Sequence, residues 1–366
     1  MSEAVSASVV LTPGQTIGIL GGGQLGRMLA MAAARLGLRV HTFDPDPCCP
    51  AADVSKRLTV GRLDDAAAME RFADSVDAIT FEWESVPTDA LRSLAHTPPI
   101  RPPADAVCVL QDRLSEKRFL EGLGLRVAPF EPLDDPAELE RALERIGGVP
   151  AIAKTRHAGY DGKGQVRVTR PDDLGAARAL VARQPCVLEG FVRFEREVSV
   201  IAARSTDGTR TTYEPGENVH RDGILHTTHV PARLSSAQRD EAVAIAERIL
   251  TGLDYVGVLG VELFVTPGGL LVNEVAPRVH NSGHWTEAGC QVDQFEQHIR
   301  AVAGWPLGPT TRHADVTMEN LIGHEVERWS LHLGNPAASL RLYGKSTILP
   351  GRKMGHVNRI DRRSAP

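Results

Sequence analysis

Residues 256–265 form an apolar run interrupted by a single acid, Glu262. After Thr266-Pro267-Gly268-Gly269, a second apolar run, Leu270-Leu271-Val272, leads into Asn273-Glu274-Val275-Ala276-Pro277-Arg278-Val279-His280-Asn281-Ser282-Gly283-His284-Trp285. Two strand-length apolar runs about a Pro-Gly turn predict a β-hairpin. The turn sets Glu262 opposite Asn273 or diagonal to Glu274. An acid on an apolar strand is costly to bury unless something neutralises it, and two acids close together repel. A divalent cation relieves both costs, and all-oxygen ligands suit magnesium, which keeps waters and bridges to phosphates. Strict alternation puts the two acids on opposite faces, so the cation reading requires a bulge, expected near Gly268-Gly269. The competing reading has both acids facing water.

At 366 residues the chain exceeds one average core, which predicts two or three domains. A hydrophobic share of 42% and a charged share of 24% are those of a globular protein. The net charge of -5, with no basic face standing out, argues against nucleic acid as a partner. Five cysteines without a CxxC pair suit neither a disulfide framework nor a zinc site, which points to a reducing cytoplasm. The first eleven residues lack a basic n-region, and no apolar run approaches a membrane span.

Along the chain, the strand Ile17-Gly18-Ile19-Leu20 runs into Gly21-Gly22-Gly23-Gln24-Leu25-Gly26 and a helical stretch, residues 27–36. The next strand ends at Asp44. This GxGxxG between strand and helix fits a dinucleotide loop, or more broadly a phosphate loop, with a plain βα turn as the bland alternative. A further strand ends in Phe81-Glu82-Trp83-Glu84, so Gln24, Asp44, Glu82 and Glu84 fall on the rim where open parallel sheets bind ligands. A proline-rich run, residues 98–103, marks a boundary, and residues 104–122 read as one helix with a basic interruption. Pro150-Ala151-Ile152-Ala153-Lys154 and Val166-Arg167-Val168 flank a glycine-rich tip that can close over a triphosphate. Val187-Leu188-Glu189 reads as an edge strand whose acid or carbonyl can meet an adenine amino group. Residues 214–223 read as a loop. Residues 235–250 read as an amphipathic helix. Gly351-Arg352-Lys353-Met354-Gly355-His356 is a basic loop suited to an anion.

The lysine strand, the glycine-tipped hairpin, the acid-ended strand and Glu262 followed by Asn273-Glu274 together resemble the ATP-grasp ligases. Residues 21–28, 159–165, 273–286 and 351–356 resemble, more narrowly, the 5-(carboxyamino)imidazole ribonucleotide synthase family, over residues 15–358. The resemblance implies an α/β and α+β chain with an ATP-grasp fold in three parts. Residues 1–103 would be a Rossmann-like βαβ domain carrying the glycine-rich loop. Residues 104–190 would be linker helices and a small lid subdomain, and residues 191–366 a mixed-sheet domain carrying the metal hairpin.

It implies ATP and magnesium as cofactors, aminoimidazole ribonucleotide and bicarbonate as substrates, and a homodimer. Arg113 and Lys154 would hold phosphates, with Gly159, Tyr160, Asp161, Gly162, Lys163, Gly164 and Gln165 closing over them. Glu189, Gly190, Phe191 and Val192 would line the adenine, Glu197 the ribose, and His220 would lie nearby. Glu262 and Glu274 would bind magnesium beside Asn273. Arg278, His280 and Asn281 would meet bicarbonate. Gln24, Leu25, Glu82, Tyr160, Asp161, Arg352 and Lys353 would hold the ribonucleotide, with Lys353 also taking part in catalysis. The residues 21–26 loop, on this view, grips a monophosphate and not NAD. Ala158 and Ser85 depart from the family pattern, and the chain ends soon after the basic loop.

Overall fold

The computed structural model describes residues 9–94, 98–157, 159 and 163–361; Tyr160, Asp161 and Gly162 of the expected lid, and Ala158 before it, lie outside them. Among the described residues the strands form three sheets. The first comprises β1 (Thr16–Leu20), β2 (Arg39–Asp44), β3 (Arg57–Val60) and β4 (Ala78–Phe81), in the order β3-β2-β1-β4, all parallel. β1 and β4 are buried almost throughout, as expected of parallel strands covered on both faces. The helix Gln24–Arg35 follows β1 and buries a small-residue face that includes Ala30, Ala32 and Ala33.

The second sheet comprises β5 (Phe130–Leu133), β6 (Ala151–Thr155), β7 (Gln165–Val168) and β8 (Cys186–Gly190), in the order β5-β8-β6-β7. β6 and β7 form the expected hairpin, Lys154 paired with Gln165. β8 lies between β5 and β6, so it is not the edge strand expected; β5, which carries no strong apolar alternation, takes that place.

The third sheet runs β14-β13-β9-β11-β12-β15-β17-β16, with β10 alongside β9. Its members are β9 (Arg196–Arg204), β10 (Arg210–Thr212), β11 (Gly216–Arg221), β12 (Ile224–Val230), β13 (Gly257–Thr266), β14 (Gly269–Ala276), β15 (Asp315–Ile322), β16 (Ala338–Leu342) and β17 (Lys353–Asp361). Its strand pairings are antiparallel, where a mixed sheet was expected; one parallel bridge, Val127 to Val272, attaches at the β14 edge. The expected loop of residues 214–223 contains β11, and Lys353 opens β17 instead of lying in a loop. Residues 104–122 are two helices, Ala104–Gln111 and Arg113–Gly122, broken at Asp112, whose side chain caps the second by accepting from Leu114 N.

One buried imidazole joins the first and third sheets. His298, on the helix Gln294–Ala303, accepts Val258 N at Nδ1 (3.0 Å) and meets Thr80 Oγ1 at Nε2 (2.8 Å). The ring is neutral, its pKa lowered by burial to about 3, so with Nδ1 accepting from Val258 it donates from Nε2–H to Thr80 and links β13 to β4. Arg35 pairs with Asp293 at 2.6 Å on the same helix boundary. The cleft between the ends of β4 and β13 is thus fixed from below.

Candidate active site

The β13–β14 hairpin pairs Glu262 directly with Glu274, and the register slips by one residue just beyond, between Glu262 and Leu263. Asn273 is the extra residue. The bulge required to put both acids on one face is therefore present, but beside the acids and not at the glycine tip. Asn273 Nδ2 lies 3.5 Å from Glu262 Oε2, and its carbonyl accepts Lys117 Nζ at 3.0 Å.

The two acids sit in different fields. Burial pushes the Glu262 carboxyl well above the ordinary range, and Glu274 and Glu197 push it further. Burial raises Glu274 too, but Arg113 and Lys154 outweigh it and hold its pKa at about 2. Arg113 donates to Glu274 Oε2 at 3.1 Å. Glu274 keeps 38% of its side chain exposed at the cleft, so water screens that pair. Glu262 is 7% exposed and faces like charge. A ligand oxygen atom from Glu262 and ligand atoms of Glu197 and His220 lie within 4.8 Å of one another, and His220 Nδ1 is 3.0 Å from Glu197 Oε2. The set is two carboxylate oxygens and one imidazole nitrogen already turned to Glu197, so of the three Glu262 is the oxygen donor left facing the Glu274 carboxylate.

A lysine pair lies behind. Lys154 donates to Glu189 Oε2 at 2.9 Å, and Lys117, 1% exposed, sits 3.4 Å from the same oxygen. Burial would raise Glu189, but Lys117 and Lys154 draw its pKa down to about 2. Burial lowers Lys154, partly offset by Glu189. Glu189 Oε1 is buried and has no hydrogen-bond partner among the described residues, leaving one acceptor toward a ligand. Phe191 lies under the Arg167 guanidinium at 4.5 Å, and Gly190 N is taken by Pro129 O. Val192 follows them, half-buried. Arg113 also reaches Gly159 O at 3.4 Å, and Gly164 O accepts Thr155 N, which ties the glycine tip to the phosphate side.

At the β4 end the glycine loop is already engaged. Gly22 N donates to Asp44 Oδ2 (2.6 Å), Gly23 N to Glu82 Oε1 (2.7 Å) and Gly26 N to Glu82 Oε2 (2.8 Å). The expected phosphate grip of this loop is corrected: its amides hold the chain's own carboxylates in the helix N-terminal field. A Cβ at Gly23 would come within 2.5 Å of Glu82 Oε1, so glycine is what admits the acid. Leu25 is corrected as well; its side chain is 7% exposed and belongs to the hydrophobic core. Gln24 remains half-exposed at the helix start.

Arg278 reaches from the end of β14 to form an ion pair with Glu84 beyond β4, closing one wall of the cleft. His280 Nε2 lies 3.6 Å from Glu262 Oε1. Burial, then Arg278, lowers the His280 pKa to about 3, so the ring is neutral. Lys353, at the start of β17, is close enough to lower Glu262 and His280 by its charge. Two expected contacts turn away. Asn281 exchanges amide bonds with Asn320 (2.9 and 2.7 Å), and Arg352 donates to Thr347 O at 2.9 Å. Sequence reasoning missed Lys117 and Glu116. Glu116 accepts Val275 N at 2.6 Å, and burial raises its pKa to about 7. The basic interruption that holds Lys117 fits a solvated face and a phosphate contact equally, so no pattern gives Lys117 or Glu116 a role.

Residues 14–111 match the ribonucleotide synthetase preATP-grasp domain, 118–295 the ATP-grasp domain, and 317–365 the phosphoribosylaminoimidazole carboxylase C-terminal domain. The N5-carboxyaminoimidazole ribonucleotide synthase of Brucella melitensis is 53% identical over 357 residues, 97% of this chain and 98% of the relative. The chain belongs to the N5-carboxyaminoimidazole ribonucleotide synthase family. These synthases are ATP-grasp ligases, and solved members share the fold. An ADP complex of the synthetase superposes with TM-score 0.93 at 38% identity, covering 97% of this chain and 94% of that one. The Aspergillus clavatus synthase, in complex with ADP and 5-aminoimidazole ribonucleotide, gives 0.89 at 32% identity, covering 95% and 94%.

Proposed function

We propose that the chain carboxylates 5-aminoimidazole ribonucleotide to 5-(carboxyamino)imidazole ribonucleotide, a step of purine synthesis, using ATP and bicarbonate. The observation that carries this is the Glu262–Glu274 pair, facing across one bulged hairpin between the Lys154 strand and the Arg278–Glu84 wall. Glu262 and Glu274 would hold magnesium, with Asn273 steadying Glu262. The bound cation would spread the negative charge of the transferring phosphoryl group.

The chain's own residues do the rest. Arg113 and Lys154 bind the terminal phosphates, and Glu189 with the half-buried Phe191 and Val192 receives the adenine. Glu197 and His220 meet the ribose. Arg278 offers a planar fork to bicarbonate, which attacks the γ-phosphorus to give carboxyphosphate and ADP. The ribonucleotide amine then attacks the carboxyl carbon. The C–O bond to phosphate breaks, phosphate leaves and the nitrogen loses a proton. Carboxyphosphate hydrolyses readily, so the glycine-tipped hairpin excludes water while it exists. Gln24, Glu82 and Lys353 receive the ribonucleotide, with Arg352 rotating from Thr347 to its phosphate. Residues 1–103, 104–190 and 191–366 act as the three domains of this machine.

ADP release should require ATP, magnesium, bicarbonate and aminoimidazole ribonucleotide together. Equal release with the ribonucleotide or bicarbonate left out would overturn the reading. Homodimerisation and a cytoplasmic location extend it by resemblance; a sedimentation mass of one chain would remove the first.

A further inference from the structure

His280 is held at more points than a residue that merely lines a cleft needs. Gln294, fully buried, clamps its backbone from both sides: Oε1 accepts His280 N at 2.9 Å, and Nε2 donates to His280 O at 2.8 Å. The second Nε2 hydrogen goes to His284 Nδ1 at 2.9 Å, which fixes the orientation of the amide. The packing leaves no slack. A Cβ at Gly283 would come within 2.6 Å of Gln294 Oε1, and one at Gly260 within 2.7 Å of His280 Cβ.

The ring is held as firmly. Ser282, also fully buried, directs both its hydroxyl (2.8 Å) and its backbone N–H (3.4 Å) at His280 Nδ1. A backbone N–H can only donate, so Nδ1 is an acceptor. Ser199, 2% exposed and paired in register with Glu262, donates its hydroxyl to Ser282 Oγ at 2.7 Å. That bond points the Ser282 hydrogen onward to the imidazole. With Nδ1 accepting, the ring proton sits on Nε2, the nitrogen nearest Glu262.

We propose that Ser282, with Ser199 behind it and Gln294 fixing the backbone, is a positioning residue that presents His280 to the cleft as a neutral Nε2–H donor. This rests on the reading of the cleft given above. His280 then supplies a hydrogen bond to oxygen atoms that gain negative charge during carboxyl transfer, and takes no proton from the ribonucleotide amine.

The test uses the full chain with 15N-labelled histidine. A long-range 1H–15N spectrum of the ligand-free protein at neutral pH distinguishes Nε2-protonated from Nδ1-protonated rings, and the signal absent in His280→Gln assigns His280. The expected form is Nε2-protonated in the native chain and a mixture of tautomers in Ser282→Ala. In that variant kcat should fall roughly tenfold, the size of one lost hydrogen bond, with the KM for ATP little changed. His280→Gln, whose amide can still donate, should retain more turnover than His280→Ala; a proton acceptor would be lost equally in both. An Nδ1-protonated His280 in the native chain, or equal inactivity of the Gln and Ala variants, overturns the proposal. The spectrum needs no substrate, so a failed ADP-release assay with the expected tautomer removes the functional reading and leaves the positioning of His280 standing.

Discussion

Glu82, half-buried just past β4, and Glu262, buried in the middle of β13, are two acids that the chain treats differently. Glu82 receives two backbone amides, Gly23 N and Gly26 N, at the start of a helix. Burial and then those amides set its pKa, which still lies above the ordinary range. Glu262 has Asn273 at 3.5 Å as a donor and meets Glu274 and Glu197 as like charges. Each oxygen of Glu82 meets a chain amide, whereas Glu262 has one long donor contact and faces like charges. That like-charge contact is the arrangement on which the proposed magnesium site rests.

The harshest test of that contrast is Glu274→Gln. Removing one of two facing carboxylates should lower turnover by about two to three orders of magnitude, the scale of a lost transition-state contact, and weaken magnesium-ATP binding. Unchanged turnover removes the metal assignment. Next is Lys353→Ala, which deletes a cation whose charge lowers the Glu262 pKa. The KM for the ribonucleotide should rise roughly tenfold, the worth of one charge-assisted contact, and that for ATP far less. An effect confined to ATP contradicts the substrate role.

Thermal unfolding without metal then separates the two acids directly. Glu82→Gln leaves one amide facing an NH2 group and should cost about 1–3 kcal/mol. Glu262→Gln removes a repelled charge and should raise Tm, while abolishing the rise that magnesium gives the native chain. Shifts of the same sign in both variants would break the comparison. The smallest effect is in acid. Glu189 is held at about 2 against an ordinary 4.5, so its ion pairs with Lys117 and Lys154 stabilise the fold above pH 4.5, and that support is lost as pH falls toward 2. A pH–stability curve for Glu189→Gln should be flatter across that window. Glu262 has the opposite sign. Its raised pKa makes the metal-free chain lose stability as pH climbs above 4.5.

The sequence shows the hairpin because an acid on an apolar strand is conspicuous, and it shows the lysine strand and glycine tip because both sit at element ends. It misplaces the bulge, since glycines attract that reading whereas the slip is made by Asn273, an ordinary polar residue. β8 looks like an edge strand because β5, Phe-Glu-Pro-Leu, carries little strand signal of its own. The glycine loop invites a phosphate because nothing local says that Glu82, 59 residues from Gly23, arrives there first. Lys117 and Gln294 act through contacts 156 and 14 residues away, to Asn273 O and to His280, and a single sequence does not display such distant pairings.

His298 touches neither nucleotide, carbonate nor amine in this scheme, yet it holds Thr80 against Val258. The spacing of β4 and β13 is therefore tied by a ring outside the proposed chemistry. Replacing it with leucine would free β4 from β13 while leaving every residue of the proposed site unchanged.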